Sequence, residues 1–144
     1  MKVLLSGFLA VILSACSVPA GSILVHLRAA AQINVTKNSG PTSVVISLYQ
    51  LSNTDSVNDC TLYALQSSTS CFGSSFVSKA KKILVPGEAS TMVIKLQKNT
   101  GFIAAVAAFN RFDAQRWYRI IKIPLLSHWL PMSAELSAKK NSFS

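Results

Sequence analysis

From Ile23 to Val35 the chain alternates: Ile23, Val25, Leu27, Ala29, Ala31, Ile33 and Val35 are apolar, while His26, Arg28, Gln32 and Asn34 interrupt the other phase. Successive side chains of a strand point to opposite faces, so a period of two held this long predicts a half-buried β-strand, bent or bulged midway. The same pattern returns along the chain. "SVVISLYQL" (43–51) puts Val44, Ile46 and Leu48 on one face, Lys81 to Val85 is extended, and "TMVIKLQ" (91–97) turns Met92, Ile94 and Leu96 inward. "FIAAVAAFN" (102–110) is apolar in both phases, which predicts a central strand covered on both sides. Trp117 to Ile123 follows, and in the last strand Met132, Ala134, Leu136 and Ala138 alternate with Ser133, Glu135, Ser137 and Lys139.

Between these runs lie turn-forming segments. "PGEAS" and Asn99-Thr100-Gly101 are short turns, and "TKNSGPT" (36–42) is a loop by composition, each residue type favouring a turn for its own backbone reason. One stretch breaks the period. Ser56-Val57-Asn58-Asp59 fits a capping box, and Val57, Cys60, Thr61, Ala64 and Leu65 recur at helical spacing, so a short helix is expected there, followed by the Ser-rich loop "QSSTSCFGSS". Seven or eight short strands with one helical insertion predict an all-β fold, a two-sheet antiparallel β-sandwich.

The N-terminus constrains location. After Lys2 the chain is uncharged from Val3 to Ala15, the length of a secretory signal's apolar region and short of the roughly 18 residues a spanning helix needs. It ends in Leu13-Ser14-Ala15-Cys16, the lipobox pattern of bacterial lipoproteins, Leu-small-small-Cys. Small residues admit the peptidase, and the Cys16 thiol is the group that carries a thioether-linked diacylglycerol. One acyl chain (palmitate, for example) holds a protein to a bilayer with a binding constant of only about 10⁴ M⁻¹, so the diacylglycerol and a further acyl group on the new amino terminus are needed for stable anchoring. Ser17, where aspartate would favour the inner membrane, points to the outer one. Residues 1–15 are therefore expected as signal peptide, 16–22 as a lipidated tether and 23–144 as the β-sandwich domain.

With Cys16 acylated, Cys60 and Cys71 remain, and an even pair in an oxidising compartment reads as a disulfide. No Cys-x-x-Cys or paired-histidine spacing supports a metal site. The 14 Lys and Arg against 5 Asp and Glu give a formal net charge of +9. An exported protein rarely meets nucleic acid, and apart from the cluster Lys79, Lys81 and Lys82 the charges are scattered, which suggests a solvated face, with anionic lipid or an acidic partner as the alternative. No catalytic residues are indicated. His26 and His128 are about a hundred positions apart, the acidic residues occupy turn, cap or exposed-phase positions, and no Gly-x-Ser-x-Gly elbow, P-loop or dinucleotide fingerprint occurs.

In order and spacing, these pieces resemble the TssJ (SciN-like) lipoproteins of the bacterial type VI secretion system. The resemblance is carried by the lipobox; a first strand ending in Ile33-Asn34; "LYQL" (48–51); the helical segment; "LVPGE" (84–88); "FIAAVAAFNRF" (102–112); and Trp117. It implies a non-enzymatic subunit without a cofactor beyond the covalent lipid on Cys16, folded as a transthyretin-like sandwich with a small helical addition. It also implies lipid anchorage in the outer membrane and binding of the periplasmic C-terminal domain of TssM, an inner-membrane protein. The contact it implies is the loop between strands one and two, here Thr36, Lys37, Asn38, Ser39, Gly40, Pro41 and Thr42. Two other readings exist. A small-ligand or carbohydrate-binding periplasmic lipoprotein would line an open cleft with Trp117, Tyr118 and Trp129; a transthyretin-related hydrolase would need a C-terminal tetrapeptide that "KKNSFS" lacks.

Overall fold

The computed structural model describes residues 20–110, 117–140 and 142–144. The apolar N-terminal segment and Cys16 lie outside the described residues. Seven strands are present among those described: β1 (Ser22–Ala29), β2 (Val44–Leu51), β3 (Phe76–Leu84), β4 (Ala89–Lys95), β5 (Phe102–Ala108), β6 (Tyr118–Lys122) and β7 (Met132–Ala138). They form two sheets, one ordered β4-β1-β7 and the other β3-β2-β5-β6. All pairs are antiparallel except β1 with β7, which run parallel.

The sandwich core is built from the inward phase of both sheets. Ile23, Val25 and Leu27 of β1, Val44, Ile46 and Leu48 of β2, Ile103, Ala105 and Ala107 of β5, and Leu136 and Ala138 of β7 pack into one buried cluster. A second cluster forms on the outer face of the four-stranded sheet, where Tyr49, Leu51, Ala104 and Val106 are covered by Val57, Cys60, Leu62, Leu65 and Phe72. β5 is thus buried on both sides, as its uninterrupted apolar run predicts.

One polar side chain crosses the interior. Gln50, buried at 4 % exposure, donates from Nε2 to the Lys95 carbonyl at 2.9 Å. Its Oε1 accepts from the Gln97 amide at 2.8 Å and from the Thr100 hydroxyl at 2.6 Å. All of its partners come from the end of β4 and the turn after it, so Gln50 ties one sheet to the other.

Three expectations are corrected. β1 stops at Ala29 and not at Val35: the chain turns at 31–34, Asn34 takes φ 56°, and Ile33 is buried by the turn rather than by a strand. β1 starts at Ser22 and not at Ile23, and the Gly21 carbonyl before it already accepts from the Leu96 amide at 2.8 Å. The Ser56 side chain caps nothing. Residues Val57–Asp59 form a 3-10 turn, Cys60 is extended, and the helix proper, α1 (Leu62–Ser67), is capped by Thr61, whose Oγ1 accepts from the Ala64 amide at 3.1 Å.

The helical cover is stapled by the Cys60–Cys71 disulfide. Closing a loop of sequence separation 11 restricts the unfolded chain, a stabilisation of about 3 kcal/mol. Replacing both cysteines with alanine should lower stability by about 2–3 kcal/mol in urea unfolding, and near-ultraviolet circular dichroism should report loosened packing around Tyr49 and Phe72, whose rings are 5.0 Å apart. Unchanged stability after both substitutions would show that the staple contributes nothing.

Between the sheets, Val85 to Glu88 make the turn from β3 to β4. The Glu88 amide donates to the Val85 carbonyl at 3.1 Å, and Gly87 at φ 80° supplies the left-handed position that a type II turn requires.

Candidate contact loop and its relatives

The loop from β1 to β2 rises at the pole where β1 ends. Asn34 holds its base. Buried at 2 % exposure, it donates from Nδ2 to the Ser43 carbonyl at 3.0 Å, and its Oδ1 accepts from the Asn110 amide at 2.6 Å. Its own amide donates to the Lys140 carbonyl at 2.9 Å, and its carbonyl accepts from the Thr42 hydroxyl at 3.2 Å. Asparagine tolerates positive φ better than most residues, so the position combines a backbone role with a hydrogen-bonding one. Asn110 closes the ring by donating from Nδ2 to Thr42 Oγ1 at 3.1 Å.

Above this base the loop makes a tight tip. The Thr36 amide donates to the Ser39 carbonyl at 3.3 Å and the two hydroxyls meet at 2.7 Å, leaving Lys37 and Asn38 at the apex. Lys37, Asn38, Ser39, Gly40 and Pro41 are all exposed, and Thr36 and Thr42 are half-buried at the flanks. The seven residues therefore form one continuous surface element on a fixed footing. Sequence reasoning missed Asn34 and Asn110 as its supports, although the Ile33-Asn34 pair was visible.

The remaining candidate residues are dispersed. His26 Nδ1 lies 3.0 Å from Thr91 Oγ1 across β1 and β4, and His128 Nε2 lies 3.2 Å from the Thr100 carbonyl at the opposite pole. The rings of Trp117 and Tyr118 meet tilted, 4.7 Å between centroids, beside the helical cover, whereas Trp129 lies beyond the far end of β6, so the three aromatics do not share a cleft. The basic cluster is split by the pleat. Lys79 and Lys81 pair opposite Tyr49 and Ser47, Lys82 opposite the core residue Ile46. Lys79 stands 5.3 Å above the Tyr49 ring, and with Lys81 it flanks an open groove of about 370 Å³ floored by Val45, Val106 and Ala108.

A family model described as type VI secretion lipoprotein (VasD, EvfM, TssJ) matches residues 22–140, the entire sandwich from β1 to past β7. The chain belongs to this family. No curated protein matches the sequence. Among solved structures, the TssJ family fold recurs in Serratia marcescens Lip, a membrane-bound component of the type VI secretion system, at 16 % identity and TM-score 0.77, covering 85 % of this chain and 95 % of that one. The T6SS lipoprotein TssJ1 from Pseudomonas aeruginosa is similar at 19 % identity and TM-score 0.77, over 88 % and 95 % of the two chains. A chain in the structure described as the T6SS protein TssM C-terminal domain from EAEC matches at 20 % identity and TM-score 0.71, over 85 % and 95 %. At these identities the likeness establishes the fold, and membership of the TssJ family rests on the family match.

Proposed function

We propose that the chain is an outer-membrane lipoprotein, acylated on Cys16, that binds the periplasmic domain of a TssM-like inner-membrane protein and stations a type VI secretion membrane complex at the outer membrane. The observation that carries this reading is polar placement. β1 begins at the tether and ends at the loop, so eight residues of strand separate the two by about 26 Å. An anchor at one pole and an exposed loop on a rigid footing at the other is the arrangement a bridging subunit needs. Family membership supports the secretion context, and the likeness to a chain in the TssM C-terminal domain structure supports the class of partner.

Within the loop, Lys37 offers charge and Asn38 paired donor and acceptor groups at the apex. Replacing Lys37, Asn38 and Ser39 together with alanine should weaken binding of the partner domain about 30-fold, near 2 kcal/mol, because truncation at the centre of an interface costs far more than at its rim. Isothermal calorimetry measures this once circular dichroism shows the sandwich intact. Unchanged affinity would move the interface away from the loop.

A further inference from the structure

At the pole where β1 begins, the surface turns apolar. Nine large hydrophobic side chains are exposed among the described residues, and four fall between positions 125 and 130: Leu125 (87 % exposed), Leu126 (61 %), Trp129 (74 %) and Leu130 (57 %). They do not belong to a slack loop. Leu125–His128 is a 3-10 turn entered from Pro124, and the amides of Trp129 and Leu130 both donate to the Leu126 carbonyl, at 3.0 and 2.8 Å. Buried Ser127 donates to the Met132 sulfur at 3.3 Å, and His128 meets the Thr100 carbonyl. The backbone is pinned beneath, and four apolar side chains are held out into water. Four exposed apolar side chains crowded onto one hydrogen-bonded turn mark a surface that meets another apolar phase.

Two neighbouring features say which phase. First, the patch adjoins the tether: a Cβ on Gly21 would lie 3.1 Å from the His128 carbonyl oxygen. Cys16 is five residues before Gly21, so even fully extended it reaches no more than about 18 Å from this contact. Second, the strand ends at this pole carry exposed Lys95, Lys98 and Lys122, with Asp55 following β2 at the same end. Exposed leucines, a tryptophan and lysines gathered at one pole are the residue types a bilayer surface takes, where indole settles at headgroup level and cations meet anionic lipid.

We propose that Leu125, Leu126, Trp129 and Leu130 seat in the lipid interface beside the acylated Cys16 and so fix the domain's orientation on the membrane. This rests on the anchoring read above. A lipid tether alone sets where the domain is, not which way it faces. Once tethered, the patch meets the bilayer at high effective concentration, so a contact too weak to recruit a free protein suffices to hold one pose. In that pose β1 stands away from the bilayer and the 36–42 loop faces the periplasmic interior.

The test uses the full lipidated protein reconstituted in phospholipid vesicles, with and without bromine on the acyl chains. Intact mass spectrometry first reports the lipid on Cys16. Bromolipid should quench part of the tryptophan emission; W129F should lose that quenchable part, leaving unquenched the emission of Trp117, the other tryptophan. The triple variant L125S/L126S/L130S, changed only at exposed positions, should keep its lipid and fold yet also lose the quenching. Lipid on Cys16 with Trp129 emission indifferent to bromine would overturn the patch proposal while leaving the anchor standing. A Trp129 that responds instead to an added partner domain would overturn it in favour of a protein contact. A mature protein without lipid would overturn the anchoring reading, and the patch proposal would fall with it.

Discussion

Replacing Asn34 with alanine is expected to destabilise the protein by about 3 kcal/mol: two side-chain hydrogen bonds near 1 kcal/mol each, and about 1 kcal/mol for placing a Cβ at φ 56° without asparagine's local compensation. The two bonds hold Ser43, just before β2 at the other end of the loop, and Asn110, 76 residues on and after β5, so their loss releases the loop at its base. Asn34→Gly separates the two causes. Glycine removes the φ penalty and should recover about 1 kcal/mol relative to alanine, leaving the hydrogen-bond loss. Urea unfolding measures all three proteins. An alanine variant within about 0.5 kcal/mol of the parent would show that the base is held by backbone bonds alone. Partner affinity should fall in the same variants although none of the exposed loop residues is altered, because a freed loop must be ordered again on binding.

Cys16→Ser is expected to remove the protein from the outer-membrane fraction altogether. In the proposed anchoring every acyl chain depends on that thiol, and each buried methylene contributes about 0.8 kcal/mol of membrane affinity, so no surface contact of the folded domain would substitute for the lost chains. The sandwich itself should be unaffected, since β1 starts only at Ser22. Density-gradient separation of inner and outer membranes, followed by a carbonate wash, checks the outcome. A variant still resistant to washing in the outer-membrane fraction would show that the lipobox is not the anchor.

Strand positions were legible in the sequence wherever burial was one-sided or complete. β5 reads as apolar in both phases because it lies between the sandwich core and the helical cover, and β7 keeps a strict alternation because one of its faces meets solvent. Alternation misled at the end of β1. Ile33 is buried like a strand residue, but by a turn, and a burial pattern does not record which backbone conformation produced it. The cap was misplaced for a related reason: Ser56 and Thr61 are both suitable caps, and the choice between them was made by the extended backbone at Cys60, itself held by the staple to Cys71. Gln50 was silent because its partners lie 45 to 50 residues away, and a polar residue inside an apolar strand announces neither its burial nor its bonds. The loop's exposed apex could be read from composition. Its footing could not, since Asn34 and Asn110 meet only through the fold.

The position of β1 in the middle of its sheet has a mechanical meaning. Its first residue follows the N-terminal segment that we propose as the tether and its last leads towards the 36–42 loop that we propose as the contact, with β4 bonded along one side and parallel β7 along the other. Tension between a membrane foot and a partner gripping that loop would run lengthwise through this strand. Both grips would then lie at the ends of one strand that is already extended, so the pull is borne by its covalent backbone. The ladders to β4 and β7 are spared, and the rest of the sandwich hangs on that strand without having to carry the load.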